Sequence, residues 1–170
     1  MDTAFPVVQL ALDFINLSQA QRCAREATAA GELWLEAGTP LIKSEGLNAV
    51  RALREEFPRH TLVADMKTMD AGRVEVEMAA NAGANVVAVL AAASDATLSE
   101  CVEAGARYNV QIMADLAEVP DPVSRARRAQ ELGVSLIGVH CPIDAQMRGE
   151  DPFEVLTAVA SAVSVPVAVA

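Results

Sequence analysis

Asp65, Lys67 and Asp70 stand in one short stretch, Val63-Ala-Asp-Met-Lys-Thr-Met-Asp70. Residues two apart on a β-strand share a face, so Asp65 and Lys67 would point the same way. Asp70 follows where the strand should give way to a helix. Two acids bracketing a lysine at the end of an apolar strand are costly to bury unless they pair or work. A structural ion pair from Lys67 to Asp65 or Asp70 is one reading; a catalytic group is the other. Four more residues bear on the choice: Asp13, Glu36, Asp115 and His140. Glu36 and Asp65 are hard oxygen ligands, suited to Mg²⁺ shared with substrate oxygens and water. Lys67 is a point charge that would stabilise a developing oxyanion. His140 titrates near neutral pH and would move a proton. Such a set suits removal of a proton next to a carbonyl, which gives an enediolate.

The elements that must position these groups are legible as alternating strands and helices. Apolar runs predict strands over 7–12, 33–36, 62–68, 86–90, 110–115, 136–140 and 165–170. Helices are expected from Asn16 or Ser18 to Gly31, over 46–57, to about Gly83, from Ser94 to about Tyr108, from Asp121-Pro122 to Gly133, and from Asp151-Pro152. The repeat is about 25 residues, one strand–loop–helix unit. An open doubly wound sheet and a (β/α)8 barrel both fit that order. No Gly-x-Gly-x-x-Gly turn follows the first strand, which weakens a dinucleotide-binding reading. Asp13, Glu36, Asp65 with Lys67, Asp115 and His140 each fall at the carboxyl end of a different predicted strand. Charged groups there converge on one mouth, where a barrel builds its active site. The expected fold is therefore an α/β (β/α)8 TIM barrel, incomplete as given, with about seven strands and six helices in one domain over 1–170.

Composition narrows the function. The chain is 52% hydrophobic but only 4% aromatic, which suits short buried strands and tightly packed helices, and its net charge of -10 argues against nucleic acid or an anionic membrane as partner. Cys23, Cys101 and Cys141 are too few and too scattered for a disulfide framework or a zinc site. Cys23 and Cys101 fall in predicted helices, as packing residues. The amino-terminal residues lack the basic start and apolar core of a secretory leader. The apolar tail from Thr157 is too short and too interrupted to span a bilayer. A cytoplasmic enzyme is expected.

Asp65-x-Lys67-x-x-Asp70 resembles the signature of the orotidine monophosphate decarboxylase superfamily. Gln9-Leu-Ala-Leu-Asp13, Glu36-Ala-Gly-Thr-Pro40, the stretch from Val63 to Gly72, and Val139-His140 followed by Asp144-x-Gln146 together resemble its 3-hexulose-6-phosphate synthase branch. That branch also holds 3-keto-L-gulonate-6-phosphate decarboxylase. The resemblance implies a barrel of the ribulose-phosphate-binding type and an aldol addition of formaldehyde to ribulose 5-phosphate. It implies Mg²⁺ held by Glu36 and Asp65, His140 as the group taking the C1 proton, and Lys67 stabilising the enediolate. Asp13 would hold substrate hydroxyls or order Lys67, with Thr39, Asp115 and Arg148 as further substrate contacts. Asp70 would reach the neighbouring subunit's site, so a homodimer with shared active sites is implied. The decarboxylase reaches a similar enediolate by losing CO₂ and is the alternative activity; a non-catalytic barrel piece is the third.

Some positions depart from the pattern. Ala91 stands where the family has Gly after the fourth strand, and Pro142 where it has Gly after His-Cys. Proline fixes φ and removes an N–H, so the loop carrying Asp144 and Arg148 is expected to sit differently. An exposed loop arginine is a second reading of Arg148. The family's seventh and eighth strands run into Gly-containing turns whose N–H groups hold the phosphate. The sequence ends at Ala170, before those turns, and the expectation is a barrel short of its last helix, strand and helix.

Overall fold

A computed structural model describes residues 6–170. The expectation about the amino-terminal residues falls mainly on 1–5, which lie outside the described residues. In chain order the elements are β1 (Gln9–Leu12), α1 (Leu17–Thr28), β2 (Trp34–Ala37), α2 (Thr39–Glu45), α3 (Asn48–Glu56), β3 (Leu62–Thr68), α4 (Gly72–Asn81) and β4 (Val86–Leu90). Then come α5 (Asp95–Tyr108), β5 (Gln111–Asp115), α6 (Pro122–Glu131), β6 (Leu136–Val139), α7 (Ile143–Gln146), α8 (Phe153–Ala160) and β7 (Val167–Val169). The strands form one seven-stranded sheet in the order β1-β2-β3-β4-β5-β6-β7. β1 to β3 and β5 to β7 pair in parallel, as continuous apolar runs should.

The sheet's closure, the helix count and the last strand differ from the expectation. β1 and β7 each have one neighbour in the strand order, so the described residues form a seven-stranded sheet and not a closed eight-stranded barrel. The described helices number eight, not six. The first extra helix, α2, starts at Thr39 with Pro40 in its first turn, a position proline favours. It stops at Gly46, whose φ of 64° is left-handed. The second, α7, is a four-residue turn opened by Pro142, whose carbonyl accepts from Ala145 N at 2.8 Å and Gln146 N at 3.0 Å. Pro142 thus reshapes this loop by starting a helix in it. β7 is shorter than expected, because Pro166 has no N–H for the ladder.

The chain divides into two compact units, one running to Met66 with Met78–Val87, the other comprising Lys67–Glu77 and Ala88–Ala170. In the first, Leu12, Leu35, Leu41, Val50, Leu53 and Val63 are fully buried. Each contributes about 1.5–3 kcal/mol by leaving water. Asn16 caps α1 by accepting from Gln19 N. Arg54 closes the end of α3 by donating to Gly83 O at 2.8 Å and His60 O at 2.9 Å. In the second unit, Val89, Leu98, Ala114, Ala126 and Ile137 are fully buried. Ser94 and Asp121 cap α5 and α6 as expected, accepting from Thr97 N and Ser124 N. Asp115 pairs in register with Gly138, which sets the carboxyl ends of β5 and β6 side by side. Cys23 and Cys101 lie in α1 and α5, and all three cysteines are free thiols.

Candidate active site

The second unit brings three of the expected residues together. Asp115 is the last residue of β5, is 4% exposed, and uses both carboxylate oxygens. Oδ1 accepts from Ala117 N at 2.8 Å. Oδ2 lies 3.0 Å from Lys67 Nζ and 3.0 Å from His140 Nδ1. Burial by itself would raise the Asp115 pKa. The hydrogen bond with His140, the charge of Lys67 and the Ala117 N–H outweigh it, and hold the carboxyl below the ordinary carboxylate range. Asp115 is therefore ionised at neutral pH. An ionised carboxylate only accepts, so the His140 hydrogen sits on Nδ1. In the neutral ring, Nε2 is then the nitrogen that takes a proton.

Lys67 forms an ion pair with Asp115, a partner that the short stretch around it does not announce. Its φ of 46° lies in the left-handed region, uncommon for a residue with a side chain. Asp70 is exposed and its Oδ1 accepts from Ala71 N at 2.7 Å. His140 comes directly after β6 and lines a cavity of about 320 Å³ with Glu118, Cys141, Ala145 and Arg148. That volume fits a small ligand. Arg148 is 68% exposed and pairs with Glu150 at 3.3 Å, as the loop-arginine reading has it.

The first unit holds the remaining residues. Glu36 sits in β2 opposite Val63 of β3. Asp65 is two residues beyond Val63, so Glu36 and Asp65 share one face of adjacent strands. Gln9 Nε2 donates to Glu36 Oε2 at 2.5 Å. Thr39 Oγ1 lies 2.6 Å from Asp65 Oδ2 and 2.9 Å from Asp65 O, and its one hydrogen serves one of them at a time. Asp13 packs onto Gly38: a Cβ there would lie 1.9 Å from Asp13 Oδ1. Gln9 and Gly38 were not singled out from sequence. Both stand inside stretches that carry the family resemblance, Gln9 at the start of Gln9-Leu-Ala-Leu-Asp13 and Gly38 within Glu36-Ala-Gly-Thr, and that is the signal for their roles.

Two carboxylates on one face, each already oriented by a neighbour's donor, are the donor set a hard cation takes when it keeps water and substrate oxygens. Among the described residues no group of three or more His, Cys, Asp or Glu gathers as a metal site. Glu36 and Asp65 thus fit the protein's share of a Mg²⁺ shell that substrate and water would complete.

A family model described as "Orotidine 5'-phosphate decarboxylase / HUMPS family" matches residues 6–164. The 3-hexulose-6-phosphate synthase of Bacillus subtilis is 39% identical over 156 residues, covering 92% of this chain and 74% of that protein. The crystal structure of 3-hexulose-6-phosphate synthase from Salmonella typhimurium superposes with a TM-score of 0.92 at 31% identity, over 97% of this chain and 78% of that one. The 3-keto-L-gulonate-6-phosphate decarboxylase of Vibrio cholerae O1 superposes with a TM-score of 0.83, also at 31% identity, over 96% and 78%. The family match spans nearly the whole chain, Asp65-x-Lys67-x-x-Asp70 included, and the chain belongs to the orotidine 5'-phosphate decarboxylase / HUMPS family.

Proposed function

We propose that the protein catalyses the reversible aldol addition of formaldehyde to D-ribulose 5-phosphate, giving D-arabino-hex-3-ulose 6-phosphate. The Lys67–Asp115–His140 cluster carries the reading, because it sets a proton acceptor and a cation on one buried carboxylate. The names of the sequence relatives supply the product, a 3-hexulose 6-phosphate, and the family resemblance supplies the two substrates. His140 Nε2 takes the proton from C1 of ribulose 5-phosphate, leaving an enediolate. The Lys67 ammonium stabilises the negative oxygen that develops. C1 then attacks the carbon of formaldehyde, and the new alkoxide takes a proton back from the His140 imidazolium. Glu36 and Asp65 hold Mg²⁺, which supplies Lewis-acid charge stabilisation when bound. Asp13, Thr39 and Arg148 contact the sugar phosphate, and Asp115 acts through Lys67 and His140.

Asp70, exposed on the turn after β3, serves the neighbouring subunit's site in a homodimer. The net charge of -10 makes nucleic acid and anionic membranes poor partners, and the cytoplasm is the proposed location. Among the described residues no helix is long and apolar enough to cross a membrane.

Formaldehyde consumption with ribulose 5-phosphate and Mg²⁺ tests the proposal. Consumption should depend on the pentulose phosphate and be abolished by EDTA and by His140→Ala. CO₂ release from 3-keto-L-gulonate 6-phosphate, with no aldol activity, would replace this reading by the reaction named for the Vibrio cholerae protein. Function unchanged in Lys67→Ala and Asp65→Ala would leave a non-catalytic role.

A further inference from the structure

We propose that Glu75 is a positioning residue for Lys67, acting through the buried hydroxyl of Thr68; this deepens the aldol reading above and rests on it. The end of β3 and the turn from it into α4 contain two non-glycine residues in the left-handed region, Lys67 with φ 46° and Ala71 with φ 54°. Such residues persist only where their surroundings over-determine them. Here the constraint is visible. Thr68 is 1% exposed, and its Oγ1 donates to Glu75 Oε2 at 2.5 Å. Glu75 lies in the first turn of α4, and its own N–H donates to Ala71 O at 3.2 Å. The strained segment is thus bracketed by a side-chain bond across it and a backbone bond within it.

The bracket is anchored as well. α4 begins at Gly72, where a Cβ would lie 2.6 Å from Cys101 Sγ and 2.7 Å from Thr97 O of α5. Gly72 thus lets the first turn of α4 lie directly against the backbone of α5. Through Glu75 that turn fixes Thr68, and Thr68 is the residue directly after Lys67. The backbone that starts the Lys67 side chain toward Asp115 Oδ2 is set in this way. An apolar pair at 68 and 75 would fill the space without burying polar groups, so the hydrogen bond is best accounted for by the direction it imposes.

The test compares Glu75→Ala, Glu75→Gln, Thr68→Val and the double variant Thr68→Val/Glu75→Ala. Glutamine keeps a carbonyl oxygen able to accept from Thr68; alanine does not. Glu75→Ala and Thr68→Val should each lower kcat about tenfold, the scale of displacing a reacting group by a fraction of an ångström, with KM for ribulose 5-phosphate within about twofold. Glu75→Gln should restore kcat, and the double variant should be no worse than the poorer single one. Amide hydrogen exchange over residues 67–71 should quicken in Glu75→Ala and Thr68→Val and stay unchanged in Glu75→Gln. A Glu75→Ala kcat within about twofold of the unaltered protein, losses that multiply in the double variant, or unchanged exchange would each overturn the proposal. If the unaltered protein shows no aldol activity, the functional reading has failed, and the exchange measurement alone decides the positioning role.

Discussion

Lys67 and His140 draw on the same atom: Nζ of one and Nδ1 of the other each lie 3.0 Å from Asp115 Oδ2. One oxygen thus fixes where the cation stands relative to the imidazole. It also fixes the tautomer, because an ionised carboxylate leaves Nδ1 no role but donor. The ordering of the two groups depends on Asp115 keeping its charge.

Asp115→Asn should therefore damage catalysis more than its conservative shape suggests. The amide keeps one accepting oxygen, and its NH₂, which cannot accept, must face either the Ala117 N–H or the Lys67 and His140 donors. We expect kcat to fall on the order of 10²–10⁴-fold, the usual worth of a positioned general base. Steady-state kinetics of the aldol reaction in both directions would show it. A kcat near that of the unaltered protein would mean that Lys67 and His140 are held by other contacts.

The same residue predicts a pH dependence of stability. Its carboxyl is held below the ordinary range in the folded protein, against the opposing pull of burial, by His140, Lys67 and the Ala117 N–H. In the unfolded chain it titrates near about 3.9. Between the two values the unfolded chain binds more protons, so stability rises with pH there. The stabilisation is fully present above the unfolded pKa and is lost as pH falls through the folded one. Urea unfolding of the unaltered and Asp115→Asn proteins should give a constant stability difference from neutral pH down to about 5, shrinking below about 4. A difference that grows on acidification would contradict the charge assignment.

Much of this arrangement was legible in the sequence, and the omissions have physical causes. Apolar runs located all seven strands, and Asn16, Ser94 and Asp121 declared three helix starts. α2 was missed because Gly38-Thr39-Pro40 reads equally as a turn, and only the packing of Leu41, fully buried, makes a helix of Thr39–Glu45. α7 is four residues long, too short for any periodicity to show. The convergence of Asp115 and His140 came from strand ends alone. Asp115 as a partner of Lys67 was not named, because it lies 48 residues further on in another strand and spacing within one stretch shows only local neighbours. Glu75 carried no signal at all: its role depends on a turn whose shape no local pattern announces.

Gly38→Ala separates function from stability. Gly38 has φ -67° and ψ 158°, which alanine adopts freely, so backbone strain is not at issue. A Cβ would meet Asp13 Oδ1 at 1.9 Å and Leu12 O at 3.2 Å. The contact falls on the end of the exposed Asp13 side chain, so moving it costs the contacts Asp13 makes, and stability should fall by about 1–2 kcal/mol. Activity should fall because Asp13 is displaced, by about the same factor as in Asp13→Ala. Combining the two should add little further loss, since both remove one contact. Urea unfolding and kcat/KM for ribulose 5-phosphate measure the two sides. Losses that multiply in the double variant would show that Gly38 acts other than through Asp13.

The contact between α4 and α5 offers a chemical reporter. Cys101 is fully buried, and burial, then Glu75 and Glu100, push its thiol up to about 12. The thiolate is the form that reacts, so native Cys101 should resist iodoacetamide at neutral pH while the half-buried Cys23 is modified. Gly72→Ala should remove that protection. Its Cβ would stand 2.6 Å from Cys101 Sγ and 2.7 Å from the Thr97 carbonyl, and a backbone oxygen cannot turn aside as a side chain can. Either α4 lifts or α5 moves, at a cost of about 1–3 kcal/mol for overpacking. Mass spectrometry of timed labelling should show Cys101 alkylation quickened in Gly72→Ala, alongside a lower urea midpoint. Because Glu75 sits one turn along α4, the same lift should loosen the Thr68 bond and lower kcat. Quickened labelling with kcat intact would mean that the direction of Lys67 does not depend on where α4 rests.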